Sequence, residues 1–142
     1  MASELAVVIV SWNTRTLTLE TLRTLYADLD AHGPAAQVWV VDNASSDGSS
    51  EAIQSEFPQV KLIASEVNLG FAGGNNRAMR EMGFGAAETE QLPKAVYLLN
   101  SDTCTHLGAT RHLYDALLSL PRAGVVGAQL FYGDGSFQHG AF

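Results

Sequence analysis

The chain has 142 residues, 46% hydrophobic and 16% charged, which supports one domain with a core of its own and excludes any need for cross-links. A formal net charge of -7 excludes attraction of nucleic acid or an anionic membrane by bulk charge, so a phosphate-bearing ligand requires a metal or aimed backbone donors. The single cysteine, Cys104, excludes an internal disulfide and a cysteine-based zinc cluster.

Residues 5–10 are an unbroken apolar run that predicts a first buried strand. Ser11-Trp12-Asn13-Thr14 then turns the chain into a helix whose stripe, Leu22, Leu25, Tyr26 and Leu29, follows the i, i+3, i+4, i+7 spacing. Gly33-Pro34 stops that helix, and residues 38–41 predict a second strand ending in Asp42-Asn43-Ala44-Ser45-Ser46-Asp47-Gly48. A short helix over 49–57 is closed by Pro58, and residues 60–64 predict a third strand. That strand runs into a glycine-rich loop, Asn68-Leu69-Gly70-Phe71-Ala72-Gly73-Gly74-Asn75-Asn76, followed by a helix through Met79 and Met82 to a break at residues 83–85. Residues 84–94 read as a surface loop rather than a domain boundary.

The run 95–99 predicts a fourth strand, covered on both faces, with Asn100, Ser101 and Asp102 at its carboxyl end. Leu107, Leu113, Leu117 and Leu120 mark a further helix ended by Pro121, and residues 124–131 predict a fifth strand before a turn-rich tail. Alternating strands and helices imply an α/β fold, a mostly parallel sheet with helices on both faces. The amino terminus lacks a basic region, and the run 5–10 is far too short to span a bilayer, so a cytoplasmic location is expected.

In such a sheet the polar carboxyl ends share one edge. Asp42 supplies an acceptor for base or ribose donors; Gly70, Gly73 and Gly74 permit close backbone approach to phosphate. Asn100 and Asp102 place two oxygen-bearing side chains where a divalent cation and a diphosphate can meet. Turn formation at Asp42 and Asn100–Asp102, and helix entry or packing at the glycines, are the alternative roles. His106 and His112, six apart, do not share a helical face and read as structural or solvated, and Cys104 reads as a small buried thiol without a catalytic partner.

Val8-Ile9-Val10-Ser11-Trp12-Asn13, the stretch 40–48, the stretch 68–76 and Leu98-Leu99-Asn100-Ser101-Asp102-Thr103 resemble the successive motifs of family 2 glycosyltransferases with the GT-A fold, in particular the rhamnosyltransferase-like branch. The resemblance implies that Ser11, Trp12, Asn13 and Asp42 hold the nucleoside of a nucleotide-diphospho-sugar. Gly70, Asn76, Asn100, Ser101 and Asp102 complete the donor site, and Asp102 is the metal-binding acid for Mg or Mn. It further implies inverting transfer to a glycan or lipid-linked acceptor in polysaccharide biosynthesis, with peripheral contact at the inner face of the membrane. The sequence departs from the pattern at three positions. Asn100 replaces the first aspartate of the Asp-x-Asp element, Ser101 stands where the branch often has proline, and Ala78 stands where the family often has glycine.

The resemblance describes residues 1–142 as a nucleotide-sugar-binding domain truncated after about the fifth strand. Asp134 and His139 are the late candidates for a catalytic base. An uncovered sheet edge is expected to favour homo-oligomers. A non-catalytic nucleotide-sugar-binding module is the alternative function. A phosphatase of the haloacid dehalogenase type would need its nucleophilic aspartate at Asn100, and a dinucleotide dehydrogenase would need a glycine fingerprint where Ser11-Trp12-Asn13 stands.

Overall fold

Val7, Val8 and Ile9 are fully buried because β1 (Leu5–Ser11) runs through the middle of a parallel sheet with helices over both faces. The computed structural model describes residues 3–86 and 91–139. After β1 come α1 (Arg15–His32), β2 (Ala36–Asn43), α2 (Ser49–Glu56), β3 (Lys61–Ser65), α3 (Gly70–Glu81), β4 (Ala95–Asn100) and α4 (Ala109–Ser119). The sheet order is β3-β2-β1-β4, all pairs parallel, so every carboxyl end lies on the same edge. Ser11 is in register with Asp42, and Val10 with Asn100.

The alternating side chains of β1 serve two cores. Val7 and Ile9 pack with Leu22 and Leu25 of α1, Ile53 of α2 and Tyr114 of α4. Val8 faces the other way, toward Val41 and Ala78 of α3, with Val10, Trp39, Ile63 and Met82 around them. Helices therefore cover both faces, three on one and α3 on the other. At Gly74 an added Cβ would lie 2.9 Å from both methyls of Val10, so the missing side chain is what lets α3 approach β1. No helix among the described residues is long and apolar enough to cross a membrane.

Five sequence expectations need correction. The fourth strand, expected to be covered on both faces, is an edge of the sheet with Leu98 47% exposed, because only β1 pairs with it among the described residues. Cys104, expected to be buried, is exposed in the loop after β4. The strand expected over 124–131 is confined to β5 (Leu130–Phe131), which pairs antiparallel with β6 (Phe137–Gln138) in a separate hairpin. Residues 124–129 join no sheet: Gly124 and Gly127 offer no side chain to pack, and Val125 is 89% exposed. The glycine-rich stretch after β3 is not a loop throughout, because α3 begins at Gly70 and takes in Gly73 and Gly74. Leu107 and Leu120 fall outside α4 and are exposed, since Gly108 at φ 87 starts the helix and Thr110 and Tyr114 form its buried face. The expected loop 84–94 lies partly outside the described residues.

Candidate functional site

The carboxyl ends of β1, β2 and β4 are joined by side-chain hydrogen bonds. Asn13, at φ 51, receives the Ser46 N–H on its side-chain oxygen at 2.8 Å and donates its own N–H to Ser45 Oγ at 2.8 Å. Asn tolerates this left-handed backbone better than most residues. On the β2 side, the Asp42 carboxylate is 3% exposed and accepts from the hydroxyls of Ser45 and Ser50, one on each oxygen. Asp47 accepts the N–H of Arg15 at 2.9 Å and of Ser49 at 3.0 Å. Hydrogen bonding, first from the Ser49 hydroxyl, holds the Asp47 carboxyl below its ordinary range.

Toward β4, Thr14 Oγ1 donates to Ser101 Oγ at 3.3 Å, connecting the turn after β1 to the turn bearing Asp102. Asn43, buried, ties β2 to α3: its side-chain oxygen accepts the Leu69 N–H at 3.3 Å and its amide donates to the Gly70 carbonyl at 3.1 Å. That bond fixes the position of Gly70, whose φ of +70 suits glycine.

The residues singled out from sequence differ in how they stand. Ser11 is fully buried, with Oγ 2.9 Å from Thr18 Oγ1 and 3.2 Å from Thr14 Oγ1, so its side chain supports the turn from beneath. Trp12 is 56% exposed, and Asn13, Gly70, Asn100 and Asp102 are also exposed at the edge, with Ser101 half-buried; Asn76 is exposed too, but within α3 rather than at its start. Asp134 and His139 belong to the β5–β6 hairpin. Asp134 accepts from the N–H and hydroxyl of Ser136, which lowers its pKa, and His139 meets Phe137 edge-on at 4.8 Å. Among the described residues no side-chain hydrogen bond joins this hairpin to Asn100, Ser101 or Asp102.

Sequence reading missed Thr14, Asn43 and Ser50. Their signal was present as polar residues flanking the strand ends, but nothing in spacing alone said which hydroxyl would reach which carboxylate.

Among the described residues no three His, Cys, Asp or Glu side chains gather into a metal cluster. Asp102 is exposed, and its carboxylate enters no hydrogen bond or ion pair with a described residue. This donor set does not suit a cation caged by protein. It does fit a hard divalent ion that takes one carboxylate, keeps water and shares its remaining positions with phosphate oxygens.

Residues 6–140 match the family described as Glycosyl transferase family 2. Over 101 residues, 70% of this chain, the sequence is 32% identical to N-acetylglucosaminyl-diphospho-decaprenol L-rhamnosyltransferase of Mycobacterium tuberculosis, in two strains. The chain spans about a third of that relative's length, 33%. Among solved structures, a mannosyltransferase from Pyrobaculum calidifontis in complex with GDP-Man and Mn2+ is similar at a TM-score of 0.62 and 21% identity, over 93% of this chain and 36% of that one. S. aureus TarS 1-349 in complex with UDP-GlcNAc is similar at 0.56 and 22% identity, over 80% and 30%. At such identities the likeness is one of fold, here GT-A. With the sequence match running along almost all its length, the chain belongs to glycosyl transferase family 2.

Proposed function

We propose that residues 1–142 are the nucleotide-sugar-binding domain of an inverting glycosyltransferase that passes a sugar from a nucleotide-diphospho-sugar to a hydroxyl of a glycan or lipid-linked acceptor in polysaccharide biosynthesis. The observation that carries the reading is the shared register of the parallel strands, which sets Ser11 beside Asp42 and Val10 beside Asn100, with hydrogen bonds joining their turns. The rhamnosyltransferase relative, whose name specifies a decaprenol-linked acceptor, supports the lipid-linked class. A cytoplasmic protein working at the inner face of the membrane suits that acceptor.

In this reading the exposed Trp12 ring and Asn13 meet the nucleoside, and Asp42 accepts its donors through the lone pairs that Ser45 and Ser50 leave free. Gly70 and Asn76 border the phosphates, while Asn100, Ser101 and Asp102 face the diphosphate. Asp102 would hold Mg or Mn, which supplies positive charge to stabilise the departing diphosphate. The acceptor hydroxyl must also lose a proton to a base held opposite the leaving group. Asp134 and His139 are the candidates this chain offers, and the hairpin that bears them would have to be fastened over the site to act.

The test is calorimetry with a panel of nucleotide sugars, with and without Mn2+, on the wild type and Asp102→Ala. Manganese-enhanced binding that the substitution abolishes is expected. Tight binding that needs no metal and ignores the substitution would remove Asp102 from its role. If donor binds but no acceptor provokes diphosphate release, the chain acts as a nucleotide-sugar-binding module instead.

A further inference from the structure

Residues 101–106 carry Asp102 from β4 toward α4 with alternating exposure: Ser101, Thr103 and Thr105 are half-buried, whereas Asp102, Cys104 and His106 are exposed. The inward set meets a stripe of polar side chains along α1. Thr14, at the start of that helix, reaches Ser101. Thr21 Oγ1 donates to the Thr103 carbonyl at 2.9 Å and accepts the Thr103 N–H at 3.1 Å. Next, Thr24 Oγ1 accepts the Thr105 N–H at 3.1 Å. Finally the Asp28 carboxylate accepts the N–H groups of Gly108 and Thr110, the latter at 3.0 Å. Positions 14, 21, 24 and 28 fall on one helical face.

Thr21 and Asp28 are fully buried, in a helix whose neighbouring buried positions are Leu22 and Leu25. Burying a hydroxyl and a carboxylate is costly unless each is satisfied, and here the loop backbone satisfies both. An apolar stripe would pack α1 equally well but would offer the loop no register.

We propose that this stripe sets the register of the Asp102 loop, with Thr21, Thr24 and Asp28 as positioning residues that turn alternate side chains inward and leave Asp102 outward. A slip of one residue would exchange the two sets and bring the Asp102 carboxylate against α1. The inference deepens the proposed function and rests on Asp102 facing the diphosphate and its cation, where small displacements weaken a site strongly.

The test compares Thr21→Val, which keeps the side-chain shape but removes donor and acceptor, with Thr21→Ser, which keeps the hydroxyl. Amide hydrogen exchange resolved by NMR is one readout; the gain in affinity for dTDP, UDP and GDP on adding Mn2+ is the other. Thr21→Val should speed exchange at the Thr103 and Thr105 amides by up to about tenfold relative to those of β1 and shrink the manganese gain similarly, the upper range for one lost hydrogen bond. Thr21→Ser should restore both. If Thr21→Val proves too unstable to study, Thr24→Ala, at a half-buried position, should free the Thr105 amide alone. Exchange at Thr103 and Thr105 that stays at the wild-type level, or that rises equally across β1, would overturn the inference. A wild type that gains nothing from Mn2+ would overturn the donor-site reading instead, and the exchange pattern would still decide the register.

Discussion

The turn contacts of Asp42 and the nucleoside contacts proposed for it can be separated by substitution. Its buried carboxylate secures the turn after β2 by accepting from Ser45 and Ser50, and in the proposed function it also takes donors of the nucleoside. Asp42→Ala should lower stability and nucleotide affinity together, each by about 1.5–3 kcal/mol, the range for hydrogen bonds to a charged group. Ser50→Ala removes a turn contact but keeps the carboxylate, so it should lower stability by about 1 kcal/mol and leave affinity nearly unchanged. Thermal melts beside calorimetry check this, and equal affinity loss in the two variants would mean that the turn alone matters. The place of Asp42, Asn100 and Asp102 at or just past the carboxyl ends of β2 and β4 was legible from sequence because each follows an apolar run. Ser11 reads the same way, yet its hydroxyl is buried against Thr18, since pattern gives a residue's place along a strand and not the partner of its side chain.

At the scale of elements, α3 tests what the glycines do. Gly74 lies where an added methyl would press on Val10, so Gly74→Ala should destabilise by about 1 kcal/mol: overpacking costs about 1–3 kcal/mol, partly offset by about 1 kcal/mol of helix propensity. Denaturant unfolding measures it, and a stabilised Gly74→Ala would show that the helix is free to move away. β1 and β2 were readable because buried strands appear as continuous apolar runs, while β3 and β4, at the sheet's edges, kept enough apolar residues to show the same run with less burial. The start of α3 was hidden because its glycines resemble a loop. What holds the helix there is non-local, the grip of Asn43 on Leu69 and Gly70 and the close contact at Gly74. Residues 124–129 misled in the opposite sense, since an apolar run cannot declare whether a neighbouring strand exists to pair with it. The polar stripe of α1 escaped a reading that followed only the leucines of that helix.

For the whole molecule, β4 forms one outer edge of the four-stranded sheet, pairs only with β1 among the described residues, and exposes 47% of its own Leu98. A cavity of about 490 Å³ lies along this edge, lined by Leu113, Tyr114, Leu117 and Val125 among others. Open strand edges with apolar surroundings tend to pair. The chain should therefore associate with rising concentration in light scattering, and Leu98→Lys should shift it toward monomer. A wild type that stays monomeric at high concentration would contradict this.

In the proposed function the ends of β1, β2 and β4 form one site for a nucleoside diphosphate and its cation. The most direct measurement is NMR of the labelled chain titrated with dTDP, UDP or GDP, with Mg2+ and then with traces of paramagnetic Mn2+. Shifts are expected at Trp12, Asn13, Asp42 to Ser45 and Gly70, with Mn2+ broadening centred on residues 100–103 that requires the nucleotide. Perturbations confined to the cavity beside β4, or broadening that is the same without nucleotide, would contradict the proposed function.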